Sequence, residues 1–263
     1  MGTAEDRKAG FHGLEIPLRS VPGARATRVV HGHGQVIDQH KHDWACITVP
    51  LLGQAIEAWD GGEACMDGPC VLVHPPGTYH TDHVGDGGLE TVSIQFDPRW
   101  LSSFGSGINL KQTVWRARSI DARQLIRLWS QADTTDADLA RSTASFLQET
   151  VTDEPAKAPA WLKHVRRSLR DTPRVATAKL AAQLDLNPAW LARAYRAVVG
   201  EGIQETARRR RIEHAVPLLR RTDVPLAEVA VASGFCDQSH MTRDFRILIA
   251  RTPRQVRLER TLL

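Results

Sequence analysis

A glutamine and two arginines stand where a helix could offer them to base pairs. In residues 227–257, Val229, Phe235, Met241, Phe245 and Leu248 fall at spacings that build two short helices around a tight turn at Gly234. Gln238, Ser239, Thr242, Arg243 and Arg246 are left on the free face of the second helix. Arginine donates two hydrogen bonds to guanine O6 and N7, and glutamine pairs with adenine N6 and N7, each worth about 1–3 kcal/mol of discrimination. A polar face of this kind suits a helix lying in a major groove.

The same unit occurs earlier in the chain. TAKLAAQLDLNPAWLARAYR superposes on LAEVAVASGFCDQSHMTRDFR, so that Ala181 matches Ala230, Arg193 matches Arg243, Tyr195 matches Phe245 and Arg196 matches Arg246. Leu191, Tyr195 and Val198 form the predicted buried stripe of the first copy, and Met241, Phe245 and Leu248 that of the second. The first copy then exposes Ala189, Ala192, Arg193 and Arg196. Alanine offers only contact with a thymine methyl, so this copy reads bases mainly through Arg193. Arg196 and Arg246 also suit phosphate contacts that position without reading sequence. Trp190 and His240, at equivalent places, fit half-buried packing roles. Residues 203–221 between the copies read as one helix, with Pro217 its single discord and expected to kink it.

The order A-x-x-x-G-F-x-D-Q-S-x-x-x-R-x-F-R, followed by T-P-x-x-x-R, closely resembles the signature of AraC/XylS-type transcription regulators. The resemblance implies two helix-turn-helix units on double-stranded promoter DNA, their second helices entering successive major grooves on one face. It also implies RNA polymerase as a partner if the protein, like most of the family, is an activator. The chain departs from the pattern in two places. Ala250 stands where a glycine usually precedes the T-P, and Thr206-Ala207 stands where an aromatic residue and a leucine are common.

Charge divides the chain in the same sense. Residues 1–155 carry 13 Lys+Arg against 20 Asp+Glu, and residues 156–263 carry 21 against 10, so nets of −7 and +11 underlie the overall +4. A basic half favours a polyanion, because neutralised phosphates release counterions. The run Arg208 to Arg211, taken alone, reads as a solvated helix face. The chain opens MGTAEDRKAG and nowhere has eighteen consecutive apolar residues, so a soluble cytoplasmic protein with no membrane partner is expected. Cys46, Cys65, Cys70 and Cys236 show no zinc-finger spacing, and reduced thiols are expected.

The elements that must position these residues follow from composition and period. TRVV, CITVPLL, QAIEAW, CVLVH and ETVSIQF are short strands punctuated by Gly, Pro and Asp, which predicts an antiparallel sandwich or small barrel over residues 27–97. Leu125, Leu128, Trp129, Leu139, Phe146 and Leu147 suit two amphipathic helices broken near Asp133 to Asp136. Those helices serve either as a homodimer seam or as packing on their own barrel. TVTDEPAKAPAW separates the two charge regimes. The fold expected is α+β multidomain: an N-terminal arm (1–26), a β-barrel with trailing helices (27–150), a linker (151–160) and an all-α domain of two helix-turn-helix units (161–263).

The barrel carries a second resemblance. GQVIDQHKHDWACITVPLLG has G-x5-H-x-H and a closing Gly53, and HPPGTYH supplies P-x-G-x-x-H, so residues 27–97 resemble a cupin, the usual sensor barrel of AraC-type regulators. The ligands of metal-binding cupins are the two His of the first motif, a Glu four residues on and the His of the second. Carried over, these are His40, His42, Cys46 in place of the Glu, and His80. Residues 40, 42 and 46 differ by even numbers and would share a strand face. Three imidazoles and a thiolate suit Zn²⁺ or a similar divalent transition metal. The same remnants line pockets for small organic effectors in cupins that hold no metal, so both kinds of ligand stay open. His74 and His83 are assigned to surface or pocket rim, and Cys65 and Cys70 to core. The alternative function is a metal-dependent cupin enzyme or metal sensor joined to a DNA-binding domain. The missing Glu argues against enzyme chemistry, and no catalytic residue is assigned.

Overall fold

Valine, isoleucine and threonine favour the pleated, half-buried surface of a sheet, and the segments rich in them pair as eight antiparallel strands in the computed structural model. The structure describes residues 13–106, 108–116, 120–152, 159–172, 174 and 176–259. The strands are β1 (Leu14–Val21), β2 (Ala24–His31), β3 (Val36–Lys41), β4 (Ala45–Trp59), β5 (Gly62–Asp67), β6 (Val71–His74), β7 (Tyr79–Phe96) and, after helix α1 (Pro98–Ser103), β8 (Val114–Arg116). The hydrogen-bonded path runs β1-β2-β7-β4-β6-β8, with β3 on β7 and β5 on β4. It is an antiparallel sheet whose path does not return on itself among the described residues.

Two expectations need correction. The stretch assigned to an N-terminal arm includes β1, an edge strand on β2 whose register shifts between Pro17 and Arg19. Proline lacks a ladder donor, so it disguises an edge strand in the sequence. CITVPLL and QAIEAW are also one strand, β4. Gly53 has φ +84 where the β4–β7 register shifts, and a Cβ there would lie 2.0 Å from Gly88 O. Only glycine lets the two long strands bend together at this point.

Helices α2 (Ile120–Ser130) and α3 (Asp136–Thr152) pack on this sheet. Leu125, Trp129, Leu139, Phe146 and Leu147 join Ile47, Val73, Val92, Ile94 and Phe96 in one buried core. Trp129 Nε1 donates to Thr143 Oγ1 at 3.2 Å and ties the helices together. The apolar stripe that could have formed a dimer seam is thus buried within its own unit.

The chain divides into units 1–155 and 156–263. The second contains α4 (Ala160–Asp171), α5 (Thr177–Gln183), α6 (Pro188–Val199), α7 (Ile203–Arg221), α8 (Leu226–Ala232), α9 (Gln238–Ile249) and α10 (Pro253–Leu258). The pairs α5/α6 and α8/α9 are the two helix-turn-helix units, and α7 runs between them through Pro217. Asn187 caps α6 by accepting from Ala189 N and Trp190 N, ahead of Pro188 at the first helical position. Asp237 caps α9 by accepting from His240 N. Helix α9 ends on Ala250 at φ 53, a left-handed conformation that costs a Cβ-bearing residue about 1–2 kcal/mol. Among the described residues no helix is long and apolar enough to cross a membrane.

Candidate nucleic-acid interface and ligand pocket

The second helix of each pair buries one stripe and exposes another. In α6, Leu191, Tyr195 and Val199 are buried, with Val198 only half-buried, and Ala189, Ala192, Arg193 and Arg196 are exposed. In α9, Met241 and Phe245 are fully buried and Leu248 half-buried, while Gln238, Ser239, Arg243 and Arg246 are exposed. Together with Thr242 and Ile247 these side chains line a concavity of about 520 Å³. Thr242 Oγ1 donates to Gln238 O at 2.8 Å, so its hydroxyl turns back to the helix. Trp190 is 43 % exposed, yet its ring meets Trp161 edge-on at 6.1 Å. His240 Nε2 lies 3.3 Å from Asp244 Oδ2 and its ring stands edge-on to Phe235.

The arginine run departs from its sequence reading. Only Arg208 is exposed; Arg209, Arg210 and Arg211 are buried. Arg209 pairs with Glu201 at 3.0 Å and Glu213 at 2.9 Å, Arg210 with Glu213 at 2.8 Å, and Arg211 with Asp244 at 3.3 Å. The partners come from before α7, from its next turn and from α9, so a window on the run itself misses most of them. Thr206, one of the departures noted above, completes a polar chain. The Tyr195 hydroxyl lies 3.0 Å from Thr206 Oγ1, which donates to Glu201 Oε1 at 2.7 Å. Burial raises the Tyr195 phenol above its ordinary value, with the Thr206 bond opposing.

In the first unit, β3, β7 and β4 lie side by side and converge on a cavity of about 40 Å³. His40 on β3 is the cross-strand partner of His80 on β7, and Glu57 on β4 is the partner of Asp82, two residues beyond His80. Directly paired residues point to the same face, which brings these side chains together. The ligating atoms of His40, His42 and His80 all lie within 4.8 Å of one another, as do those of Glu57, His74 and His80. His40 Nδ1 lies 2.9 Å from Asp38 O and His80 Nδ1 3.2 Å from Thr78 O. A carbonyl only accepts, so each Nδ1 carries the proton and Nε2 is the nitrogen able to ligate.

Burial in this cluster opposes charge. Desolvation pushes the Glu57 and Asp82 carboxyls up to about 8, and lowers His74 to about 4 and His80 to about 2. His74 is buried, hydrogen-bonded to Glu57 Oε1 and, at 2.8 Å, to Thr113 Oγ1, and stacked on His80 at 4.7 Å. It is not a rim residue, contrary to the expectation. Cys65 is exposed, against its assignment to the core, and Cys70 is buried. Cys46 is fully buried 3.4 Å from Thr48 Oγ1, its thiol pushed up to about 12, and is neither in the ligand groups nor in the cavity lining. His40 lies on β3, His42 just beyond its end and Cys46 on β4, and even spacing relates the faces of residues only within one strand. Glu57 and Asp82 were missed by motif, although the period-two spacing of His80 and Asp82 already pointed to one face.

Residues 180–259 match the family model of a helix-turn-helix domain. The C-terminal unit belongs to the AraC-type helix-turn-helix family. Over 106 residues the chain is 32% identical to the HTH-type transcriptional regulator GlxA of Rhizobium meliloti (strain 1021), covering 40% of this chain and 32% of the relative. It therefore spans about a third of that regulator's length. Among solved structures it is similar to ToxT from Vibrio cholerae strain SCE256, there bound to an unsaturated fatty acid, with a TM-score of 0.42 and 12% identity over 91% of this chain and 96% of that one. The C-terminal domain of the two-component response regulator yesN from Fusobacterium nucleatum subsp. nucleatum is 25% identical over 37% of this chain and 93% of its own, with a TM-score of 0.33. The matched segment contains α6 and α9, so the AraC-type unit carries both exposed faces described above.

Proposed function

We propose that the protein is a transcription regulator that binds promoter DNA through α6 and α9 and senses a small ligand in the histidine-lined pocket of a cupin-like N-terminal unit. The observation that carries the reading is the pair of exposed polar faces on helices of a basic, AraC-type unit. Arg193 and Arg196 on α6, and Gln238, Ser239, Thr242, Arg243 and Arg246 on α9, are the DNA-contacting set. Gln238 and Arg243 read bases, while Arg196 and Arg246 hold phosphates. The nineteen residues of α7 span about 28 Å, which suits two helices addressing grooves about 34 Å apart. As an activator, the DNA-bound protein would meet RNA polymerase.

The pocket supports a ligand of ionic size. A cavity of about 40 Å³ accommodates an ion with one or two waters but little of a larger organic molecule. His40, His42 and His80 present nitrogen donors that fit a first-row divalent transition metal such as Zn²⁺ better than a hard, oxygen-seeking ion. The test is selection of bound fragments from random genomic DNA, then affinity for the selected site with and without candidate ligands. A tenfold change with ligand corresponds to about 1.4 kcal/mol of coupling. Failure to enrich any sequence would overturn the reading.

A further inference from the structure

We propose that Glu57 supplies the carboxylate ligand of a divalent transition-metal ion held by His40, His42 and His80, and that Cys46 does not ligate it. The inference rests on the reading of this pocket as the ligand site. The motif places a sulfur where a carboxylate would stand, and the fold supplies a carboxylate from further along the same strand. Glu57 lies diagonal to His80 across the β4–β7 ladder, a separation that a glutamate side chain spans. Its oxygen already sits within 4.8 Å of the His80 and His74 donor nitrogens. Ligands at about 2.1 Å around a tetrahedral ion are about 3.4 Å apart, so the three imidazoles need shifts of about 1.4 Å at most, whereas Glu57, grouped with His80 and His74 but not with His40 and His42, must swing further toward them.

His74 completes the arrangement as a positioning residue. It bonds Glu57 Oε1 on one side and Thr113 Oγ1 on the other, and it is held edge-on by Trp59 at 5.8 Å. That is the outer hydrogen bond by which proteins fix a ligating carboxylate. Asp82, the cross-strand partner of Glu57, has Oδ2 3.9 Å from His40 Nε2 and belongs to neither ligand group. Cys46 Sγ instead turns to Thr48 Oγ1 and lies outside the cavity lining.

The test is metal titration of the full-length, metal-stripped chain with Zn²⁺ and Co²⁺, followed by calorimetry and visible absorption. One Co²⁺ should bind per chain, with d–d bands but no thiolate-to-cobalt charge-transfer band in the near ultraviolet. Glu57→Gln should weaken Zn²⁺ by about 100-fold or more, His74→Gln by about tenfold, and Cys46→Ser by no more than about threefold. Circular dichroism checks that each variant is folded, and the cobalt spectrum of the unsubstituted chain answers the Cys46 question without any variant. A thiolate band, a full-affinity Glu57→Gln, or an Asp82→Asn that loses the metal while Glu57→Gln keeps it would overturn the assignment. Absence of stoichiometric metal would overturn it too, leaving the pocket reading intact. That reading falls separately, if His80→Gln leaves the ligand dependence of DNA binding unchanged.

Discussion

Breaking the Arg211–Asp244 pair should loosen α9 without removing a DNA contact. Asp244 lies on the reading helix but is only 4% exposed, 3.3 Å from Arg211 Nη2 and 3.3 Å from His240 Nε2. Arg211 is buried as well, its guanidinium 5.4 Å from the Phe235 ring. Asp244→Ala strips a buried cation of its carboxylate, a change that costs about 3–5 kcal/mol, against total domain stabilities of about 5–15 kcal/mol. Replacing both partners with apolar residues, Arg211→Met with Asp244→Leu, removes the buried cation as well and should restore most of that loss. Hydrogen exchange read by mass spectrometry on peptides spanning α9 measures the effect in the full chain. The single variant should exchange there about 10²–10⁴ times faster, and the double variant close to the parent. In parallel, Arg211→Met should leave the salt dependence of DNA binding unchanged, since a lost phosphate contact would lower the slope by about one. A lower slope with undisturbed α9 protection would show that Arg211 faces DNA and refute the internal pairing.

Gln238→Ala and Arg243→Ala should each relax preference at one or two base pairs, costing about 1–3 kcal/mol on the best site with little loss on random DNA. Competition binding checks this, and equal weakening on both DNAs would refute base reading. Ala250→Gly should raise the stability of the C-terminal unit by about 0.5–1 kcal/mol, because glycine carries no penalty at φ 53; a lower melting temperature would contradict it. Tyr195 supplies a pH prediction. Burial raises its folded pKa above the ordinary 10.0, so the contribution is fully present below pH 10.0 and is lost as pH rises through the folded value. The alkaline fall in stability should shrink in Tyr195→Phe, and an unchanged profile would count against the buried phenol.

Local signals carried the helical unit further than the sheet. Helices α6 and α9 were legible because their buried stripes repeat every three to four residues and their caps, Asn187 and Asp237, lie just before them. The refinement that Val199 rather than Val198 is fully buried lies within one residue of the stripe read from period. The sheet was harder. β1 was hidden by Pro17, β4 was split at Gly53, and β3, β5 and β8 are too short or too polar to announce themselves. The pocket was half legible, because its histidines sit in motifs while Glu57 and Asp82 arrive by long-range register. The same limit explains Arg209 to Arg211. A run of like charge looks solvated until Glu201 and Asp244 are brought to it by the fold.

Hydroxyl-radical footprinting of the full chain on its selected site distinguishes two reading helices from one. Two protected windows should appear on one face of the duplex, centred about one helical turn, 10 base pairs, apart. Arg193→Ala should weaken one window, and Gln238→Ala with Arg243→Ala the other. A single window, windows on opposite faces, or protection that ignores sequence would contradict the assignment of α6 and α9 as two reading helices.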